Sequence, residues 1–282
     1  MLLKDALSSA IDQLTAAHVG SPRMNAELLI MFTLNCDRAY LYAHPERELS
    51  QKEQERYGDA IEQRSRGIPA QYITGHQEFW GMDLIVSPAV LIPRPETEHV
   101  IETVLRLVKS RETPLRIVDV GTGSGCIALA LAKELPASDI HASEISSAAL
   151  EIARANAARH QLESRIHFQK ADLLGGLPRN HFDFAVSNPP YVGDSEEDQV
   201  QLEVRKFEPR NAVFAGPIGT EVIERLVPQA KSALKPGGWL VFEISGTISD
   251  RVRELLSGWS NLQIHNDLHG IPRVAAAQKP MS

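Results

Sequence analysis

Asn188, Pro189, Pro190 and Tyr191 close an apolar run, "FDFAVS", with residues that cannot prolong it. Each proline fixes φ and lacks an N–H, so a sheet ladder stops there, and the residue before each proline is held extended. The product is a rigid tetrapeptide whose carbonyls no strand claims. The side-chain oxygen of Asn188 and the carbonyl of Pro189 then form a pair of fixed acceptors, suited to a planar NH₂ group that donates two hydrogen bonds. An amide nitrogen is a poor nucleophile because its lone pair is delocalised into the carbonyl. Acceptors that hold both protons favour pyramidalisation, aim the lone pair and stabilise positive charge developing on nitrogen. Tyr191 stacked on the flat group would fix its plane. These four residues are the candidate catalytic set, and their chemistry requires no metal and no strong base.

A second cluster, "VDVGTGSGCIALALA", sets Gly121, Thr122, Gly123, Ser124 and Gly125 between a strand and a helix, where missing side chains let a ligand touch the backbone. The dinucleotide fingerprint G-x-G-x-x-G needs glycine at 126, and Cys126 stands there, so an NAD enzyme is disfavoured. G-x-G-x-G in this position instead resembles the first motif of S-adenosylmethionine-dependent methyltransferases of the Rossmann-like class. Asn-Pro-Pro-Tyr resembles the fourth motif of those acting on exocyclic or amide nitrogen. Glu144, at the tip of the next strand, suits the two hydroxyls of a ribose. Asp172, expected to end the third strand, suits the adenine amino group or the loop around it.

The elements that must position these groups follow from periodicity. Leu3, Ala6, Leu7, Ala10, Ile11 and Leu14 mark an amphipathic helix; a second covers 22–34 with Pro22 in its first turn; a third begins at Ser50, whose partner Glu53 completes a capping box. Residues 1–67 therefore read as a small all-helical domain. Residues 68–94, rich in glycine, proline and aromatics, read as a hinge of short strands and turns, and 95–282 as the catalytic domain, with Pro95 opening a helix. From 115 onward strands alternate with helices at 126–134, 147–159, 219–234 and 249–257, followed by late strands at 262–265 and 273–277. That alternation predicts an α/β, doubly wound, mostly parallel sheet of seven strands, with ligands beyond the strands' carboxyl ends.

Composition excludes several classes. Lys and Arg total 29 against 36 Asp and Glu, a net charge of −7, which disfavours tight binding to a nucleic-acid backbone. Cys36 and Cys126 are far apart and form no C-x-x-C, so neither a disulfide framework nor a zinc ribbon is encoded. The ten histidines contain no H-x-x-x-H pair, and no ligand cluster is evident, so no metal is expected. Lys4 and Asp5 interrupt what a signal peptide would keep apolar, and no run approaches the ~18 residues of a membrane span. A soluble, cytoplasmic protein is expected.

The stretch "VLIPRPETE" (90–98) resembles the hinge signature of the release-factor-specific glutamine N5-methyltransferases, the PrmC/HemK family. The likeness continues through "PAQYITGHQEFWG", "VSNPPY", "FEPRNAVFAG", "LKPGGWLVFEI" and "DLHGIPRV". It implies a Rossmann-like methyltransferase fold. It also implies S-adenosylmethionine contacts at Gly121 to Gly125, Glu144, Asp172, Leu173 and Asn188, with S-adenosylhomocysteine as product. The same likeness implies a pocket at Asn188 to Tyr191 for the glutamine of the Gly-Gly-Gln loop of class-1 peptide-chain release factors, with the helical domain docking that factor. Arg94 and Glu96 would shape the hinge or simply start a helix. The chain departs from the family pattern at Glu144, usually aspartate, at Leu173, often aromatic, and at "SGTISD". Other readings are an N6-adenine-type nucleic-acid methyltransferase, against which the acidic "DSEEDQ" stands, a ribosomal-protein glutamine methyltransferase, and a non-catalytic binding module.

Overall fold

In the computed structural model, which describes residues 1–281, the alternating pattern after residue 115 forms one sheet of seven strands. They are β1 (Arg116–Val120), β2 (Asp139–Glu144), β3 (Ile166–Lys170), β4 (Phe182–Ser187), β5 (Leu234–Glu243), β6 (Ser260–Asn266) and β7 (Pro272–Gln278). Their spatial order is β6-β7-β5-β4-β1-β2-β3; the pairs from β5 to β3 are parallel, and β7 is antiparallel to both β5 and β6. Strand order reverses between β1 and β4, the point at which α/β sheets open a crevice for ligands.

Successive residues of β1 face opposite sides, as the two-residue pleat requires. Ile117 packs with Ile140, Val186 and the helices Glu98–Leu107 and Cys126–Glu134, whereas Val118 packs with Phe182, Leu240 and the helix Glu221–Ala233. Both faces are thus covered, which is why these strands read as continuous apolar runs. The helices Cys126–Glu134 and Ser147–Arg159 fall where their sequence pattern puts them.

The chain divides into two compact units, Met1–His76 with Gln201–Phe207, and Gln77–Val200 with the chain from Glu208 onward. The first is helical, with Leu14, Leu29, Ile30 and Tyr57 in its own core, and with the capping box at Ser50 formed as its sequence encodes. Arg64 is buried there, donating to Asn25 Oδ1 (2.8 Å), the Ile68 carbonyl (3.0 Å) and Glu203 Oε2 (2.6 Å). A charge taken from water needs such partners. One of them comes from the short helix Leu202–Phe207, far away in sequence. Among the described residues no helix is long and apolar enough to cross a membrane.

Two local expectations are corrected. Residues 70–74, read as strand or turn, form a helical turn: Pro69 stands at its N-cap, where no N–H is needed, and Gly75 ends it at φ +78°. Asp172 does not end β3, which stops at Lys170; the last ladder bond runs from Ala171 N to the Glu144 carbonyl (3.0 Å), and Asp172 lies in the loop beyond.

Candidate active site

The register of the two central strands places both sequence motifs side by side. Val120 is level with Ser187, so Gly121 and Asn188 are the first residues to leave the sheet on adjacent strands. Ser187 Oγ donates to the Val120 carbonyl (2.7 Å), tying the two exits together. The N–H groups of Gly121 and Thr122 both donate to the Ser143 carbonyl on β2 (2.8 and 3.0 Å). The loop is therefore anchored before it turns.

Gly121, Gly123 and Gly125 have φ of +71°, +55° and +86°, a region costly for residues with a Cβ. Their surroundings differ. A Cβ on Gly121 or Gly123 would meet nothing within 4 Å, whereas one on Gly125 would lie 3.3 Å from Ala153 Cβ and Leu129 Cδ1. The first two glycines open a cradle; the third lets two helices approach.

That cradle is one wall of a cavity of about 510 Å³. Gly121, Thr122, Gly123 and Ser124 contribute from the loop, Glu144 and Ile145 from the end of β2, and Asp172 and Leu173 from the loop after β3. Asn188, Pro189 and Pro190 also line it, with Thr97, Val90 and Phe214. Gly125 and Tyr191 are not on the wall. The structure thus gathers nearly all of the sequence-predicted residues around one hollow of ligand size.

The residues present fit a nucleoside-bearing ligand. Glu144, largely buried, accepts from Gly123 N (3.0 Å) and Ser146 N (2.9 Å) through separate oxygens. A carboxylate has about four lone-pair directions, so two remain for ribose hydroxyls. Ile145 is half exposed and Leu173, at φ +52°, lies on the same wall; together they offer apolar surface to a flat base. Asp172 pairs with Arg225 at the rim.

The other wall is held by a side-chain network that sequence reading missed. Asn188 Nδ2 donates to Thr97 Oγ1 (3.0 Å), Thr97 Oγ1 donates to Glu243 Oε2 (2.6 Å), and Tyr191 OH donates to Glu243 Oε1 (2.8 Å). Glu243 is fully buried at the end of β5, and burial raises its pKa above the usual carboxylate range. Burial, with Glu243 beside it, likewise drives the Tyr191 phenol up. Tyr191 packs its ring on the sheet and ties its hydroxyl to this carboxyl. The available signal was a glutamate inside the apolar run "GWLVFEI".

Two further acids act behind the walls. Asp119 on β1 accepts from Thr122 Oγ1 (2.6 Å) and Ala128 N (3.1 Å) through one oxygen, while its other oxygen is buried without a partner among the described residues. Burial pushes its pKa to about 7. Glu208, buried, accepts from Ile92 N (3.0 Å) and pairs with the partly exposed Arg94, which also donates to the Ile92 carbonyl (2.9 Å). Arg94 therefore braces the segment before Thr97. Cys126 lines the cavity, and its apolar surroundings push the thiol up to about 12, leaving it an inert wall group.

At the other end of the sheet Asp139, His141 and His167 converge, their ligand atoms all within 4.8 Å of one another. The sequence reading found no ligand cluster. Parallel register, which places His141 opposite His167, creates one that spacing along the chain does not show.

Comparison with known proteins adds to this geometry. Residues 5–75 match the model of the PrmC N-terminal domain, and residues 102–206 that of the methyltransferase small domain. The chain is 56% identical to the release factor glutamine methyltransferase of Koribacter versatilis, covering 100% of both. It is 38% identical to that of Coxiella burnetii, covering 98% of this chain and 99% of the relative. Among solved structures, the hMettl16 catalytic domain in complex with MAT2A 3′UTR hairpin 6 shares the fold at 18% identity and a TM-score of 0.59, over 87% of this chain and 93% of that one. With a full-length relative at that identity, and with both motifs meeting at the strand reversal, the chain belongs to the release factor glutamine methyltransferase family.

Proposed function

We propose that this protein transfers a methyl group from S-adenosylmethionine to the side-chain amide nitrogen of the glutamine in the Gly-Gly-Gln loop of class-1 peptide-chain release factors. The observation that carries the reading is the placement of Asn188 and Pro189 in one cavity with Gly121, Gly123 and Glu144. S-adenosylmethionine, when bound, supplies an electrophilic methyl group on a positively charged sulfur.

The residues of the chain do the rest. Gly121 to Ser124, Glu144, Asp172 and Leu173 would hold the cofactor against the loop and the ends of β2 and β3. Asn188 Oδ1 and the Pro189 carbonyl accept the two amide protons of the glutamine. Their acceptance draws the nitrogen out of conjugation and stabilises the charge it gains. No metal enters this reading, because the proton leaves a cationic nitrogen that is already acidic.

Residues 1–67 are assigned to docking the release factor. The match of this region to a family-specific N-terminal domain, and its separate core, support that role. The site of action would be the cytoplasm. The acidic turn Asp194–Gln199, directly after the motif, disfavours a polyanionic substrate.

Transfer of tritium from methyl-labelled S-adenosylmethionine to a purified release factor tests the reading. Label should enter the wild-type factor and be lost when its Gly-Gly-Gln glutamine is replaced by alanine. Label that persists in that variant contradicts the substrate assignment.

A further inference from the structure

We infer that Thr97 and Glu243 are positioning residues that fix which end of the Asn188 carboxamide faces the reacting nitrogen. The inference rests on the proposed function, since it concerns the acceptor that function requires.

An asparagine carboxamide is nearly symmetric in shape but opposite in chemistry at its two ends. Only the oxygen can accept from a substrate NH₂; the nitrogen would repel it. Pocket shape alone does not choose between them.

Hydrogen-bond direction does. Ionised Glu243 has no proton to give, so Tyr191 and Thr97 must both donate to it, at 2.8 and 2.6 Å. A threonine hydroxyl has one proton. Once that proton points at Glu243, Thr97 Oγ1 offers lone pairs only, and the 3.0 Å contact to Asn188 needs an N–H from the asparagine. The amide nitrogen is thereby drawn to Thr97 and Oδ1 is turned to the cavity, whose wall includes both Thr97 and Asn188. The orientation follows from counting protons. It also explains why a carboxylate and a threonine are both buried here, at 2% and 1% exposure, where apolar residues would pack at lower cost.

The same logic makes the device sensitive to protonation. A protonated Glu243 can donate to Thr97, whose proton is then free to point at Asn188 and pull Oδ1 out of the cavity. The groups that face Glu243 are Tyr191 after β4, Glu96 in the turn before Thr97, Arg273 on β7 and Cys126 at the start of its helix. Glu96 raises its pKa, and Arg273 and the two hydroxyl donors lower it, against the larger effect of burial, which raises it. Turnover should therefore fall as pH drops through the pKa of Glu243.

The test uses the full-length protein and four variants: Thr97→Val, Thr97→Ser, Glu243→Gln and Asn188→Ala. In ¹⁵N-asparagine-labelled protein, the Asn188 side-chain NH₂ signal is assigned by its disappearance in Asn188→Ala. That signal should shift in Thr97→Val and Glu243→Gln and return to the wild-type position in Thr97→Ser. In methyl transfer, Thr97→Val should lower kcat about 10- to 100-fold with KM for the release factor within about twofold, the size of effect seen for partners that orient a reacting group. Thr97→Ser should restore most of the rate, and Glu243→Gln should lose the acid limb of the kcat profile. An Asn188 signal unmoved in Thr97→Val and Glu243→Gln overturns the inference. So does full kcat in Thr97→Val, or an acid limb retained in Glu243→Gln. The NMR arm needs no substrate, so a wrong substrate assignment would show separately, as wild-type protein that fails to label the factor.

Discussion

The two walls of the cavity are built in different ways. The glycine-loop wall is made largely of backbone: positive φ at Gly121 and Gly123, and N–H groups anchored on Ser143 and Glu144. The other wall is set by side chains: Thr97 and Asn188 line the cavity, and Glu243 and Tyr191, off the wall, complete a chain of three hydrogen bonds with them. Backbone construction binds a ligand by shape. Side-chain construction sets direction, and one wrong donor undoes it. Substitutions in the first wall should therefore act on affinity, and in the second on turnover.

The largest expected effect breaks the second wall outright. Asn188→Ala should reduce kcat by about 10³-fold or more, with the melting temperature little changed, because a preorganised group facing developing charge is lost. Kinetics with a full-length release factor, paired with a thermal melt, check it; turnover near wild type would remove the basis for separating the walls.

The next effect loosens the support beneath that wall. Glu208→Ala leaves the partly exposed Arg94 without its partner and the buried Ile92 N without an acceptor, so stability should fall by about 2 kcal/mol. Chemical denaturation measures this, and a change within error would show that the pair is not holding the segment before Thr97.

Within the first wall the glycines should part company. Gly125→Val meets Ala153 and Leu129 and should destabilise the fold by about 2 kcal/mol, while Gly123→Ala enters open space and should carry only the left-handed strain of about 1 kcal/mol. Gly123→Val should chiefly weaken S-adenosylhomocysteine binding in calorimetry. Equal stability losses at both positions would contradict the distinction between cradle and packing glycine.

The smallest effect is a slope. Asp119 keeps its proton to about pH 7 in the fold, whereas an unfolded aspartate releases it near 4. Between those values the folded state carries the extra proton, so this group's contribution is full at low pH and is lost as pH rises toward 7. Asp119→Asn should remove up to about 1.4 kcal/mol per pH unit of that decline in unfolding experiments. Glu243, also raised by burial, contributes the same sign and remains in the variant. An unchanged slope would mean that Asp119 is ionised in the fold.

Legibility in the sequence follows the same division. The glycine loop and the Asn-Pro-Pro-Tyr stretch are each contiguous, and their residue types state their backbone requirements, so both motifs are legible in residue type and spacing. Helices such as Ser147–Arg159 were readable because period and caps are local. The Thr97–Glu243 contact spans 146 residues, and no local pattern announces it. Only the oddity of an acid in an apolar strand hinted at Glu243, as it did at Asp119 in "VDV". The stacking role foreseen for Tyr191 rested on residue type, whereas its placement depends on where its hydroxyl finds a partner, and that partner lies on another strand. The allocation of Gln201–Phe207 to the helical unit was hidden for the same reason, since its tie to Arg64 crosses 139 residues.

A crystal structure of the protein with S-adenosylhomocysteine and a release factor would show the acceptor pair at work. The Gly-Gly-Gln glutamine nitrogen should lie within hydrogen-bond distance of both Asn188 Oδ1 and the Pro189 carbonyl, with Asn188 Nδ2 still on Thr97. A glutamine amide lying elsewhere in the cavity, or facing the nitrogen end of Asn188, would contradict it.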